Sequence, residues 1–137
     1  MDGHRYLLDT NVILALVKDP QGPVFQALSD RLPDTACTSI VVAAEICFGL
    51  CKGVSDRLRV RVEAVLSALD VLPLECPVEQ HYGEIRAQLQ QRGQPIGHND
   101  LFIAAHARAL GLTLVTRNLG EFERVPGLKV ESWLPPA

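Results

Sequence analysis

Residues 5–17 read RYLLDTNVILALV, an apolar run broken once, by Asp9-Thr10-Asn11. The stretch ahead of the break, RYLL (5–8), has the length and character of a buried strand. Asp, Thr and Asn are residues from which a helix such as VILALV starts well. A strand that ends on a carboxylate and turns at once into an apolar helix is the opening unit of an α/β fold. It also places a charge where burial is expensive unless the charge is paired or meets a cation.

The alternation continues along the chain. Residues 24–32 put Val24, Phe25, Leu28 and Leu32 on one helical face, and TAC (35–37) reads as a second strand. Ser39 can cap a helix over 40–51 that is apolar nearly all round and is therefore expected to be buried. Over 56–69, Leu58, Val62, Val65, Leu66 and Leu69 recur at helical spacing. Over 77–91 the stripe is Val78, Tyr82, Ile85 and Leu89, stopped by RGQPIG (92–97). NDLFIAAHARAL (99–110) is a second buried helix ended by Gly111, LTLVT (112–116) a strand, NLGEF (118–122) a helical turn and LKVE (128–131) a last strand. Apolar strands without strict alternation, separated by helices, predict a parallel sheet of four or five strands covered on both faces. The 137 residues fit one domain, 1–137.

Hydrophobic residues make up 47% of the chain and charged ones 21%, the balance of an ordinary globular protein. A net charge of -3 excludes a general attraction to nucleic acid, so any such contact needs local basic patches. Lys52, Arg57, Arg59, Arg61, Arg86, Arg92, Arg117 and Arg124 are the candidates, Arg86 and Arg117 foremost. The start MDGHRYLLDT does not read as a secretory signal, and the longest apolar runs fall short of the ~20 residues of a membrane span. The expected location is cytoplasmic. Cys37, Cys47, Cys51 and Cys76 form no CxxC pair and are expected to be small buried thiols in a reducing compartment.

Three acids interrupt or directly precede apolar runs: Asp9 in LLDTNV, Glu45 in VVAAEICF and Asp100 in GHNDLFIAA. Each alone has a plain structural reading, as a cap, a half-exposed helical residue or a first-turn acid. Together they point to one pocket, because Asp9 follows the carboxyl end of the first strand, where open α/β sheets bind ligands. Carboxylates converging without Cys or His favour Mg²⁺ or Mn²⁺. The chemistry such a site suits is phosphoryl transfer or phosphodiester hydrolysis. Asn118 and Glu121, just after the LTLVT strand, are further candidates, although Asn-x-x-Glu also has the form of a capping box. Ser39, Thr10, Asn11 and Thr116 could orient Asp9 or water, and His98 could touch substrate. His4, His81 and His106 carry no signal.

LLDTNVI (7–13), TSIVVAAEICFG (38–49), GQPIGHNDLFIAAHA (93–107) and LVTRNLGEFERVPGL (114–128) resemble, in order and spacing, the PIN-domain ribonucleases, and more narrowly the VapC toxins of type II toxin–antitoxin systems. The resemblance covers residues 5–133. It implies a Mg²⁺- or Mn²⁺-dependent endoribonuclease on a small parallel-sheet α/β fold, dimeric, and neutralised by a VapB antitoxin that inserts a peptide near the active site. The family's acids fall on Asp9, Glu45 and Asp100. Where many members add a fourth acid, this chain has Asn118, with Glu121 three residues on, which puts a second metal in doubt. The expected arrangement is one metal bound by Asp9 and Asp100, with Glu45 holding or deprotonating a water and Asn118 as a further catalytic position. GQPIGHND and EFERVPGL look closest to the VapC group that cuts the anticodon loop of initiator tRNA; Arg86, Arg117 and His98 are the expected RNA contacts. Two other readings exist: a haloacid-dehalogenase-type phosphatase, lacking here the second aspartate of its Asp-x-Asp motif, and a non-catalytic RNA- or protein-binding PIN module.

Overall fold

A computed structural model of the chain describes residues 3–31 and 33–135. The elements in chain order are β1 (Tyr6–Leu8), α1 (Thr10–Lys18), α2 (Pro23–Asp30), β2 (Ala36–Ser39), α3 (Ile40–Cys51) and α4 (Asp56–Ser67). They continue with β3 (Asp70–Leu72), α5 (Val78–Gln91), α6 (His98–Leu110), β4 (Thr113–Val115), α7 (Leu119–Phe122) and β5 (Lys129–Glu131). A 3-10 turn at Pro33–Thr35 leads into β2.

The five strands form one sheet in the order β3-β2-β1-β4-β5, every neighbouring pair parallel. Successive side chains of a strand point to opposite faces, and Leu7 and Leu8, Cys37 and Thr38, and Leu114 and Val115 are all fully buried. Both faces of the sheet are therefore covered, as the unalternating apolar strands required. The helix boundaries follow their signals. Ser39 accepts the Val41 N–H, Ser55 accepts the Leu58 N–H, and Gly111 ends α6 in the left-handed conformation at φ 70°.

Three expectations need correction. The strand β3 escapes a reading that ran the α4 stripe on to Leu69. It has only three residues and sits at the sheet edge with Val71 exposed, so no burial pattern marks it. The helix α3 is not buried all round: Val42, Ala43, Ile46 and Leu50 face the core, whereas Ile40 and Phe48 are 45% and 63% exposed. Of the cysteines only Cys37 is buried; Cys47 and Cys51 share the outer side of α3, and Cys76 lies in the loop before α5. Phe25 is likewise exposed, while Leu32 lies outside the described residues.

Phe122 is the largest fully buried side chain and ties the short α7 to the core. Phe122→Ala is expected to lower the unfolding free energy by about 3–5 kcal/mol. Leu110→Ala, at a 48% exposed position, is expected to change it by no more than about 0.5 kcal/mol. Urea denaturation of both variants checks this.

Candidate active site

The chain runs outward from β1 to β2 and β3, then returns to lay β4 on the other side of β1. This reversal opens a crevice beyond the carboxyl ends of β1 and β4. Asp9 follows β1 and Thr116 follows β4. The Asp9 N–H donates to the Val115 carbonyl at 2.9 Å, extending the ladder by one bond. Asp9 is 4% exposed. Its Oδ1 accepts the Thr10 N–H at 2.8 Å, and its Oδ2 accepts the Thr116 hydroxyl at 2.8 Å. Thr116 Oγ1 accepts the Asn118 N–H at 3.0 Å. Asp9 is thus at once the cap of α1 and a fixed carboxylate in the crevice.

Glu45 enters from the second turn of α3, where the Thr10 hydroxyl donates to its Oε1 at 3.3 Å. Asp100 enters from the first turn of α6 and Glu121 from that of α7. Burial raises the pKa of Asp9 above the ordinary carboxylate range, opposed by the Thr116 and Thr10 hydrogen bonds and reinforced by the charge of Glu121. Burial also raises Glu45, with Asp9 adding to it and the Thr10 hydrogen bond opposing. Asp100 is pushed up to about 7, first by burial, then by the charge of Glu121 and a hydrogen bond to it, then by Asp9 and Glu45. Four acids from four elements thus act on one another. Among the described residues no ion pair joins any of them to a basic side chain.

Oxygen donors of this kind fit a hard divalent cation. Among the described residues no three His, Cys, Asp or Glu side chains are placed to hold a metal ion together. The donor set therefore suits an ion held by one or two carboxylates with waters completing its shell, not an all-protein cage.

A PIN-domain family model matches residues 6–128. The ribonuclease VapC2 of Haemophilus influenzae is 37% identical over 131 residues, covering 95% of this chain and 98% of that protein. The tRNA(fMet)-specific endonuclease VapC of Shigella flexneri is 36% identical over 130 residues, covering 94% and 98%. Among solved structures, VapBC2 of Rickettsia felis bound to a promoter DNA fragment matches with a TM-score of 0.88 at 34% identity, over 94% of this chain and 98% of that one. The chain belongs to the PIN-domain family, in its VapC branch.

Membership in this family sets aside the phosphatase reading. Of the residues singled out in the sequence, Asp9, Glu45 and Asp100 share the crevice. Asn118 joins the network through its backbone N–H, which donates to Thr116 Oγ1. The capping box does not form, because Asn118 makes no side-chain cap and Glu121 turns to Asp100. Glu121 thus stands beside Asp100 and acts on Asp9 as a fourth acid in the crevice.

The basic candidates separate. His98 and Arg86 line one cleft between α5 and α6. Arg117 lines another with Asn11, whose Oδ1 accepts its N–H at 3.2 Å. Arg59 and Arg61 instead donate to the carbonyls of Leu50 and Val17, serving as helix-end caps.

His106, which carries no signal in the sequence, is 1% exposed and clamps the elements that bear two of the acids. Ser39 Oγ, already accepting from Val41, is hydrogen-bonded to His106 Nδ1 at 2.8 Å, and the ring also interacts with the Pro73 backbone carbonyl. The clamp joins the cap of α3 to α6, and a lone His inside AAHA gives no periodic cue to it.

Two pH predictions follow from these groups. An acid whose folded pKa is raised loses folded-state stability as pH rises between its unfolded and folded values, here from about 4 to about 7. In EDTA, Asp100→Asn is therefore expected to raise Tm relative to wild type more at pH 8 than at pH 5, and more at pH 5 than at pH 4. Burial lowers the pKa of His106, so its contribution is lost as pH falls below about 6.5. The stability advantage of wild type over His106→Asn is expected to shrink between pH 7 and pH 5, measured by thermal denaturation of the pair.

Proposed function

We propose that this chain is the toxin of a type II toxin–antitoxin pair: an endoribonuclease that hydrolyses RNA phosphodiester bonds with Mg²⁺ or Mn²⁺. Its substrate is a tRNA, initiator tRNA by similarity to the Shigella flexneri enzyme named for it. The observation that carries the reading is the gathering of Asp9, Glu45, Asp100 and Glu121 from separate elements with no basic side chain among the described residues paired to them.

Asp9 and Asp100 would hold the metal, which when bound lowers the pKa of a coordinated water and neutralises charge on the phosphate. Thr116 and Thr10 fix the Asp9 carboxylate so that little reorientation is needed. Glu45, oriented by the Thr10 hydroxyl, holds or deprotonates the attacking water. Arg86, His98 and Arg117 supply donors to RNA on either side of the acids. Among the described residues no helix is long and apolar enough to cross a membrane.

The partners are a VapB-type antitoxin and a second copy of the chain. An apolar groove of about 440 Å³ between α1, α2 and α4, walled by Leu16, Val17, Leu28, Val65 and Leu69, suits an antitoxin helix. A second groove of about 220 Å³, with Leu14, Ile46 and Val62, has Thr10 and Glu45 among its lining and so leads such a peptide to the acids. The outward Ile40 and Phe48 of α3 suit a homodimer contact.

With Mg²⁺, the purified protein is expected to cut tRNA, and EDTA to stop it. Asp9→Asn and Asp100→Asn should each lower cleavage on the order of a hundredfold or more while retaining the native circular dichroism spectrum. RNA left intact while p-nitrophenyl phosphate is hydrolysed would refute the nuclease reading; undiminished cutting by either variant would remove the metal assignment.

A further inference from the structure

The cleft between the last turns of α5 and the start of α6 differs in chemistry from the acidic crevice. It has a volume of about 230 Å³, aliphatic walls from Leu89, Ile96 and Leu101, and a polar edge of Arg86, Gln90 and His98. Arg86 is half-buried and, among the described residues, pairs with no carboxylate. One of its five N–H groups donates to the Tyr82 hydroxyl at 3.1 Å, leaving the others free for a ligand. The Tyr82 hydroxyl, so supplied, lies 3.4 Å from His98 Nδ1 and joins that ring to Arg86. The Tyr82 ring is itself held by stacking on Phe102, with centroids 4.5 Å apart. His98 is two residues from Asp100 on the same helix, so their backbones are about 5 Å apart.

A phosphate seat would present several cations or a row of backbone N–H groups. This cleft instead sets one guanidinium, one amide and one imidazole against aliphatic walls, the combination that accepts a flat heteroaromatic ring and reads its edge. Its volume is below that of a pocket for a drug-sized ligand and leaves room for one base. We infer that the α5–α6 cleft seats a single unpaired nucleobase of the RNA beside the scissile phosphate, with Arg86 and Gln90 reading its edge and Tyr82 aligning Arg86 and His98. The inference rests on the nuclease reading above.

The test begins by mapping the cut on total tRNA. A synthetic stem-loop carrying that site is then made with an abasic nucleotide at each of the two positions on either side of the cut. Cleavage of the intact and abasic loops is measured for wild type, Arg86→Met, Arg86→Lys and Gln90→Ala. One abasic position is expected to lower kcat/KM about tenfold or more, and Arg86→Met to lower it similarly on the intact loop. The two changes together should be no worse than either alone. Arg86→Lys should restore little, because a point charge cannot replace the planar fork. Gln90→Ala, at an exposed position, should show the same position-specific non-additivity on a smaller scale, which keeps the test valid if Arg86→Met does not fold. Equal further loss from Arg86→Met on every abasic loop, or full rescue by lysine, overturns the base seat. A wild type that leaves all RNA uncut removes the nuclease reading and the seat with it; cutting with additive losses removes the seat alone.

Discussion

The hydrogen bond from Thr116 to Asp9 joins the two strands between which the sheet reverses its order, and the site is organised around it. Its partners lie 107 residues apart in the chain, yet each is the first residue past a buried strand. The ladder continues through Asp9 N–H to Val115, so the carboxylate is positioned by backbone register before any side chain acts. Asp9 is in consequence not free to turn away from its neighbours. Thr10 completes the arrangement by serving Asp9 with its N–H and Glu45 with its hydroxyl.

Such rigidity works against the folded chain when no cation is present. Burial and mutual repulsion both raise Asp9, Glu45 and Asp100 above their usual pKa range, and none is relieved by a basic partner among the described residues. The aliphatic strands Tyr6–Leu8 and Thr113–Val115 and the buried faces of α1 and α6 hold the acids together against that repulsion. A PIN site is thus built from core packing outward.

The sequence showed the fold class and three of the acids because both rest on contrast: a carboxylate within or against an apolar run is visible without coordinates. Features that depend on what lies across from a residue were not visible. The edge strand β3 has too few residues for a period, and the outward face of α3 reads as core because composition cannot say how many neighbours a helix has. Glu121 had the spacing of a capping box, and only the direction of its side chain toward Asp100 decides against that role. His106 has no sequence pattern at all, since its partners Ser39 and Pro73 belong to distant segments.

The placement of the acids on their helices explains how the crevice keeps its shape. Asp9 caps α1, and Asp100 and Glu121 lie in the first turns of α6 and α7, each near a helix end with partial positive charge. Only Glu45 sits in the second turn, beyond the reach of such an end, and the Thr10 hydroxyl is directed to it as the Thr116 hydroxyl is to Asp9. Peptide dipoles and hydroxyl donors therefore offset part of the repulsion without neutralising it. A lysine or arginine in the same place would instead cancel part of that negative charge outright. The site keeps its charge because its compensation is dipolar, and residual negative charge on oxygen donors already held in place is the condition that the proposed divalent cation requires.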